Sequence, residues 1–237
     1  MSVSGKLVII AGATSASGLT AARVLRDAGA RVVAVGRDAD KLRDLVDDLD
    51  ADAASLVAGT AGSVRTEVCD LDDETAVAAL AERTHAADGP VDGVLHLVGG
   101  WRGGGGLAGQ TDADYRFLEG SLTALRHVSR AFDADLRSSE AGRLSVVSST
   151  AVARPLAGGA NYAAVKAATE AWTRAVAQGF AKDAGDAGKP LAAASVIFRV
   201  KSLDGLEEAL AQRFADLWLA DAADINDTIV ELTDPSL

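Results

Sequence analysis

The sequence predicts one α/β domain, a doubly wound parallel sheet with helices on both faces, and three observations carry that prediction. Short apolar runs alternate with longer stretches of helical spacing along the whole chain, the pattern of β-α-β units that set strands side by side and helices across them. The first apolar run passes at once through a glycine turn into a helical stretch, the opening of a Rossmann-like domain. Alanine and valine dominate the apolar share, and aromatics are only 4% of the 237 residues, a balance suited to close packing of helices on a sheet. That length fits one large domain, and no linker or repeat beyond the βα alternation divides residues 1–237.

Taken in order, residues 6–11 (Lys-Leu-Val-Ile-Ile-Ala) lie between Gly5 and Gly12. A run apolar at successive positions reads as a strand buried on both faces, central in a parallel sheet. A helix over 19–28 stops at Gly29. The second strand, 31–35, runs into Gly36-Arg37-Asp38, with Asp38 as a cap for a helix over 39–49. Residues 50–63 are small and irregular and read as a connection with a short extra turn. The third strand is 64–69 and its helix 73–87. Asp88-Gly89-Pro90 breaks the chain before a fourth strand over 91–98. Glycines at 99, 100, 103, 104, 105, 106 and 109 then make a loop that is mobile by composition. A long helix over 112–137, a fifth strand over 144–148 closed by Ser149, and a long helix over 162–183 follow. A sixth strand over 191–198, a helix over 206–220 and a last strand over 229–232 complete the order.

The chemistry suggested by these placements starts at the first turn. Glycines there let the backbone approach a pyrophosphate, and the N–H groups opening the next helix attract its charge. Gly12, Thr14, Ser15 and Gly18 are therefore candidate cofactor contacts. After the second strand, where an acidic side chain would bind the ribose 2′-hydroxyl of NAD, Arg37 offers a guanidinium to a 2′-phosphate. The sequence leans to NADP(H), and Asp38 keeps NAD(H) open. Asp70 and Leu71 would lie beside the adenine, and Val98 and Gly99 leave the fourth strand where open sheets bind ligands. Trp101 and Arg102 in the glycine loop either line a substrate mouth or form an exposed hinge with one aromatic packed down.

The other stretch with chemistry runs from Ser149 to Lys166. Tyr162 and Lys166 stand four apart on a helix and share a face. An ammonium within a few ångströms favours the phenolate and lowers the phenol pKa, which makes the pair a general acid/base. Ser149 could fold over the helix start to hydrogen-bond a substrate oxygen. The plain alternative is a core tyrosine and a solvated lysine.

Several classes are disfavoured. A formal charge of -11 argues against a nucleic-acid surface. The single Cys69 forms no internal disulfide and supplies no Cys-rich metal site; a small buried residue in a reducing cytosol is the simple reading. His85, His96 and His127 lack zinc spacing, so no metal is expected. There is no Walker-type turn or nucleophile elbow. The first apolar run is too short for a signal sequence or a membrane span, so a soluble cytoplasmic protein is expected. Helices apolar on two sides bury one against the sheet and one against a partner, which predicts a homo-oligomer, dimer or tetramer.

These residues together resemble the short-chain dehydrogenase/reductase family, over almost the whole chain. That family's Thr-Gly-x-x-x-Gly-x-Gly stands here as Ala11-Gly12-Ala13-Thr14-Ser15-Ala16-Ser17-Gly18, with alanine for the second glycine. Its Tyr-x-x-x-Lys is Tyr162-Ala163-Ala164-Val165-Lys166, and its serine thirteen residues before the tyrosine matches Ser149. The resemblance implies a seven-stranded sheet, proton transfer through Tyr162, and Lys166 on the nicotinamide ribose, where it lowers the tyrosine pKa. Ser149 would orient a carbonyl or alcohol. Three features depart from the pattern. Asn-Asn-Ala-Gly reads His96-Leu97-Val98-Gly99, the helix asparagine of the proton relay is Ser121, and the Pro-Gly after the sixth strand is replaced in the region of Ile197-Phe198-Arg199-Val200. The expectation is an NAD(P)(H)-dependent enzyme, NADP(H) favoured, that interconverts a carbonyl and an alcohol of a small molecule. The alternative is a catalytically silent dinucleotide-binding sensor or assembly subunit.

Overall fold

The computed structural model describes residues 1–53 and 62–233. Most of the expected connection over 50–63 therefore lies outside the described residues. The sheet is built from β1 (Leu7–Ala11), β2 (Arg31–Gly36), β3 (Ser63–Val68), β4 (Gly93–His96), β5 (Arg143–Ser149), β6 (Ala194–Val200) and β7 (Thr228–Glu231). All neighbours pair in parallel, in the order β3-β2-β1-β4-β5-β6-β7. Every residue of β1 is buried, as a central strand requires. The order turns back between β1 and β4, and a crevice opens at such a switch point beyond the strands' C-terminal ends.

The helices are α1 (Ala16–Asp27), α2 (Ala39–Ala53), α3 (Glu74–Asp88), α4 (Asp112–Ala131), α5 (Asp133–Ser138), α6 (Ala160–Asp186), α7 (Glu207–Asp216) and the single turn α8 (Ala222–Ile225). They divide between the two faces, each with its own apolar core. One joins Ala21 and Leu25 of α1 to Phe214 and Trp218, at and just beyond α7. The other joins Leu80 of α3, Leu125 and Val128 of α4, Phe132 and Phe180 of α6. Burying each such large side chain contributes about 1.5–3 kcal/mol. Phe214 and Trp218 meet edge to face at 5.3 Å, and Trp218 lies so close to β4 that a Cβ on Gly93 would stand 2.7 Å from its Cη2. No helix among the described residues is long and apolar enough to cross a membrane.

Several boundaries differ from the sequence expectation, for local reasons. The first helix begins earlier, because Ser15 Oγ accepts from Gly18 N at 3.1 Å and caps it. The fourth strand is shorter, because Asp92 turns its carboxylate back to the Leu7 N–H at 3.0 Å. The long helix expected over 112–137 breaks at Phe132 (φ -108, ψ 8), whose ring is wholly buried. Asp38 does cap α2, accepting from the Asp40 and Lys41 N–H groups at 3.1 Å each.

Candidate active site

A cavity of about 1120 Å³ opens above the C-terminal ends of β1, β4, β5 and β6. Ser15 and Ser17 line it from the β1–α1 turn, residues 96–101 from the end of β4, and Ser149, Arg154 and Leu156 from the loop after β5. Tyr162 and Lys166 project from α6, and residues 201–203 from beyond β6. The structure thus brings Ser149, Tyr162, Lys166, Ser15, Val98 and Gly99 to one space.

Lys166 is 9% exposed, and its Nζ donates to the Val147 carbonyl at 2.7 Å. Burial pulls its pKa down to about 8, against an upward pull from Glu170 one turn later. Glu170 is itself buried in a polar network. It accepts from Ser148 Oγ at 2.6 Å and from Arg199 Nε and Nη2 at 3.2 and 2.8 Å. Tyr162 does not behave as its spacing predicts. Nζ of Lys166 lies 5.9 Å from its ring centroid, and burial pushes the phenol above its ordinary value, opposed by a hydrogen bond with Ser149. Desolvation therefore sets the direction at Tyr162, and the Ser149 hydrogen bond only partly offsets it. Ser149 is 4% exposed; its Oγ accepts from Ala151 N at 3.2 Å, and its own proton is directed to Tyr162.

Beside this group, His96 is 3% exposed and its Nε2 meets the Ser121 carbonyl at 3.0 Å. A carbonyl only accepts, so Nε2 carries the proton. Burial lowers the imidazole pKa to about 4, leaving it neutral, and Nδ1 has no partner among the described residues. The Ser121 hydroxyl, at the position of the family's relay asparagine, donates to Leu118 O at 2.7 Å.

Two loops meet across the cavity mouth. Gly104 N donates to Gly158 O at 2.7 Å. Gln110 Nε2 reaches Gly104, Gly106 and Gly158 carbonyls at 3.1, 3.3 and 3.0 Å, and its Oε1 accepts from Asn161 N at 3.1 Å. The glycine loop expected to be mobile is stapled to the residue preceding Tyr162. Trp101 lines the cavity, whereas Arg102 does not. Its guanidinium stacks 3.9 Å from the Phe117 ring centroid, and Nη1 donates to Trp101 O.

The remaining cofactor candidates frame the site without lining the main cavity. Gly12 has φ +91, and a Cβ there would stand 2.9 Å from Val98 N; at Gly18 it would stand 2.3 Å from Ala13 O. Both glycines are required by close backbone approach, as in a turn that cradles a pyrophosphate. Thr14 packs on Gly36 at the end of β2, close enough that a Cβ there would stand 2.7 Å from its Cγ2. Arg37 is exposed and acts electrostatically on Asp72. Asp70 is exposed, and Leu71 is buried with its carbonyl on His127 Nδ1 at 3.1 Å. These three follow β2 and β3, on the far side of β1 from the Tyr162 group.

Sequence reasoning missed Glu170, Arg199 and Gln110. Glu170 carried a usable signal, since it stands four residues after Lys166 on the same helix. Arg199 carried a weaker one, a charge inside an otherwise apolar strand. Gln110 gave none beyond being the first amide after the glycines.

The first N–H groups of α1 have no intrahelical acceptor, and a lysine with one hydrogen-bonded proton faces the same cavity. This donor set fits a dinucleotide phosphate and a ribose. Comparison with known proteins agrees in fold and family. The sequence pattern described as short chain dehydrogenase matches residues 6–184. A solved metagenomic short-chain oxidoreductase in complex with NADP is 26% identical with a TM-score of 0.79, over 99% of this chain and 100% of that one. Dehydrogenase/reductase SDR family member 7B of Bos taurus is 32% identical over 171 residues, 72% of this chain and 52% of its own length. An uncharacterised oxidoreductase of Mycobacterium tuberculosis is 33% identical over 97 residues, 41% of this chain and 27% of its own length. The chain thus spans about half or less of the curated relatives it matches. With a seven-stranded parallel sheet and a family pattern covering most of its length, the chain belongs to the short-chain dehydrogenase/reductase family of oxidoreductases.

Proposed function

We propose that the protein interconverts a carbonyl and an alcohol of a small molecule with NADP(H) favoured over NAD(H), Tyr162 acting as general acid/base. The observation that carries this reading is the convergence of Ser149, Tyr162 and Lys166 on a cavity that extends to the β1–α1 turn. When bound, the nicotinamide supplies or accepts the hydride. Tyr162 Oη gives its proton to the carbonyl oxygen in reduction and takes it back in oxidation. A phenol pushed upward is protonated near neutrality, so the resting site is set to donate. Ser149 Oγ donates to the same oxygen and holds it near Tyr162. Lys166, as an ammonium hydrogen-bonded to Val147 O, stabilises the phenolate that remains and holds the ribose. Gly12, Thr14, Ser15 and Gly18 would receive the pyrophosphate, Val98 and Gly99 the nicotinamide end, Asp70 and Leu71 the adenine, and Arg37 the 2′-phosphate. The preference for NADP(H) is supported by Asp38, whose Oδ1 is turned to the α2 cap.

The test is fluorescence titration with NADPH and NADH, followed by NADPH oxidation with a panel of ketones, aldehydes and quinones. Tyr162→Phe should lose on the order of a hundredfold or more in turnover while binding NADPH as before. Unchanged turnover sinks the mechanism, and failure to bind either nucleotide sinks the cofactor reading. Tight binding without turnover favours the silent sensor. Light scattering on the same samples checks the homo-oligomer, and a cytoplasmic setting suits the single buried Cys69.

A further inference from the structure

We propose that the carbonyl substrate is an anion with an apolar body, and that Arg154 is the residue that reads its negative group. The inference rests on the oxidoreductase reading of the same cavity and names the substrate class that reading leaves open. Acidic residues outnumber basic ones in the chain, 34 to 23. The cavity reverses this balance: its charged lining residues are Arg154, Lys166 and Lys201, with no Asp or Glu among the described lining. Lys166 has its place beside Tyr162. Arg154 and Lys201 form no hydrogen bond or ion pair among the described residues. Elsewhere many surface cations are paired within the protein, as in Arg116–Glu119, Arg130–Glu74 and Arg174–Asp227.

Position separates these two cations from the expected pyrophosphate site. Arg154 lies on the loop after β5 and Lys201 follows β6, whereas the pyrophosphate turn follows β1. The sheet order puts β6 three strands from β1, about 14 Å at about 4.8 Å per strand. The Arg154 loop is also held, because Gly158 O accepts from both Gly104 N and Gln110 Nε2. The same lining carries exposed apolar side chains. Trp101 and Leu156 are 61% and 72% exposed and both line the cavity. Exposed apolar side chains sharing a cavity with a cation that has no partner among the described residues match a ligand that pairs an apolar body with a carboxylate or phosphate.

The test measures binding, independent of turnover. Two acids, benzoylformate and 4-formylbenzoate, are titrated against their methyl esters by calorimetry and tryptophan fluorescence, with and without NADP⁺. At least one acid should bind about tenfold tighter than its ester, as expected for one charge-assisted hydrogen bond. The advantage should shrink with added salt, vanish in Arg154→Met and persist in Arg154→Lys. Arg154 is exposed, so the substitution leaves the fold and NADPH affinity unchanged. Acid and ester binding alike, including no binding of either, overturns the proposal, as does a preference that survives in Arg154→Met. Loss of NADPH binding or an active Tyr162→Phe would instead overturn the underlying oxidoreductase reading.

Discussion

Replacing Lys166 by Met should make the protein more stable near neutrality while abolishing its turnover. Free lysine titrates at 10.5, and burial brings Lys166 to about 8. At about 1.4 kcal/mol per pH unit, holding the ammonium in the folded state below pH 8 costs about 3 kcal/mol. The direction follows from proton counting. Between about 8 and 10.5 the unfolded chain binds more protons at this site than the folded one, so the site's contribution to stability rises with pH through that window. Below it the full penalty is present. Methionine removes the penalty in nearly the same volume, but it leaves the Val147 carbonyl without its 2.7 Å donor, a loss of about 1 kcal/mol. Glu170 keeps its pairing with Arg199 and is not stranded. The net gain at about pH 7 is then about 1–2 kcal/mol, or about 3–6 °C in Tm for a chain of this size. Urea unfolding of both proteins without nucleotide, at about pH 7 and about pH 9.5, isolates the site, because every other titrating group is common to the two. The difference should shrink at the higher pH. A Lys166→Met variant that is less stable at pH 7, or a difference that does not change with pH, would falsify the account of Lys166 as a charge held at a cost.

Three further substitutions probe the supports of the site. Glu170→Ala leaves Arg199, whose side chain is 15% exposed, with only Glu231 at 3.9 Å, and should cost about 3 kcal/mol. Adding Arg199→Met should recover much of that loss in urea unfolding, and the single variant should also move the Lys166 titration below about 8, read as a shifted pH profile. Gln110→Ala unlinks the glycine loop from the loop before α6. It should raise KM several-fold, with kcat changed less and Tm lowered by no more than about 3 °C; equal kinetics would show that the clamp does not position the mouth.

The sheet was legible because its central strands announce themselves as apolar runs, and parallel alternation leaves little choice of neighbours for the more polar edge strands β3 and β7. The Ser149, Tyr162 and Lys166 group was legible because four-residue spacing on one helix and the end of the adjacent strand converge whatever the loop between them does. Depth was not legible. Spacing puts Lys166 beside Tyr162 but says nothing of the Val147 carbonyl that takes its proton or of the burial that decides the sign of both shifts. The break at Phe132 was hidden for a similar reason, since helical periodicity continues through it and only the seating of a ring in the core interrupts the helix.

Two of the family departures, at residues 96 and 121, meet in the structure. His96 and Ser121 stand 25 residues apart in sequence, at the end of β4 and within α4, and meet through Nε2 and a backbone carbonyl at 3.0 Å. His96 spans that gap as a neutral donor, because its burial, with a pKa of about 4, keeps the ring uncharged across the physiological range. The same bond occupies the carbonyl of residue 121, while the serine hydroxyl is spent on its own helix. His96 Nδ1 is left as a buried acceptor without a partner among the described residues. At these positions β4 and α4 are joined by one side-chain-to-backbone hydrogen bond, with one buried acceptor left over.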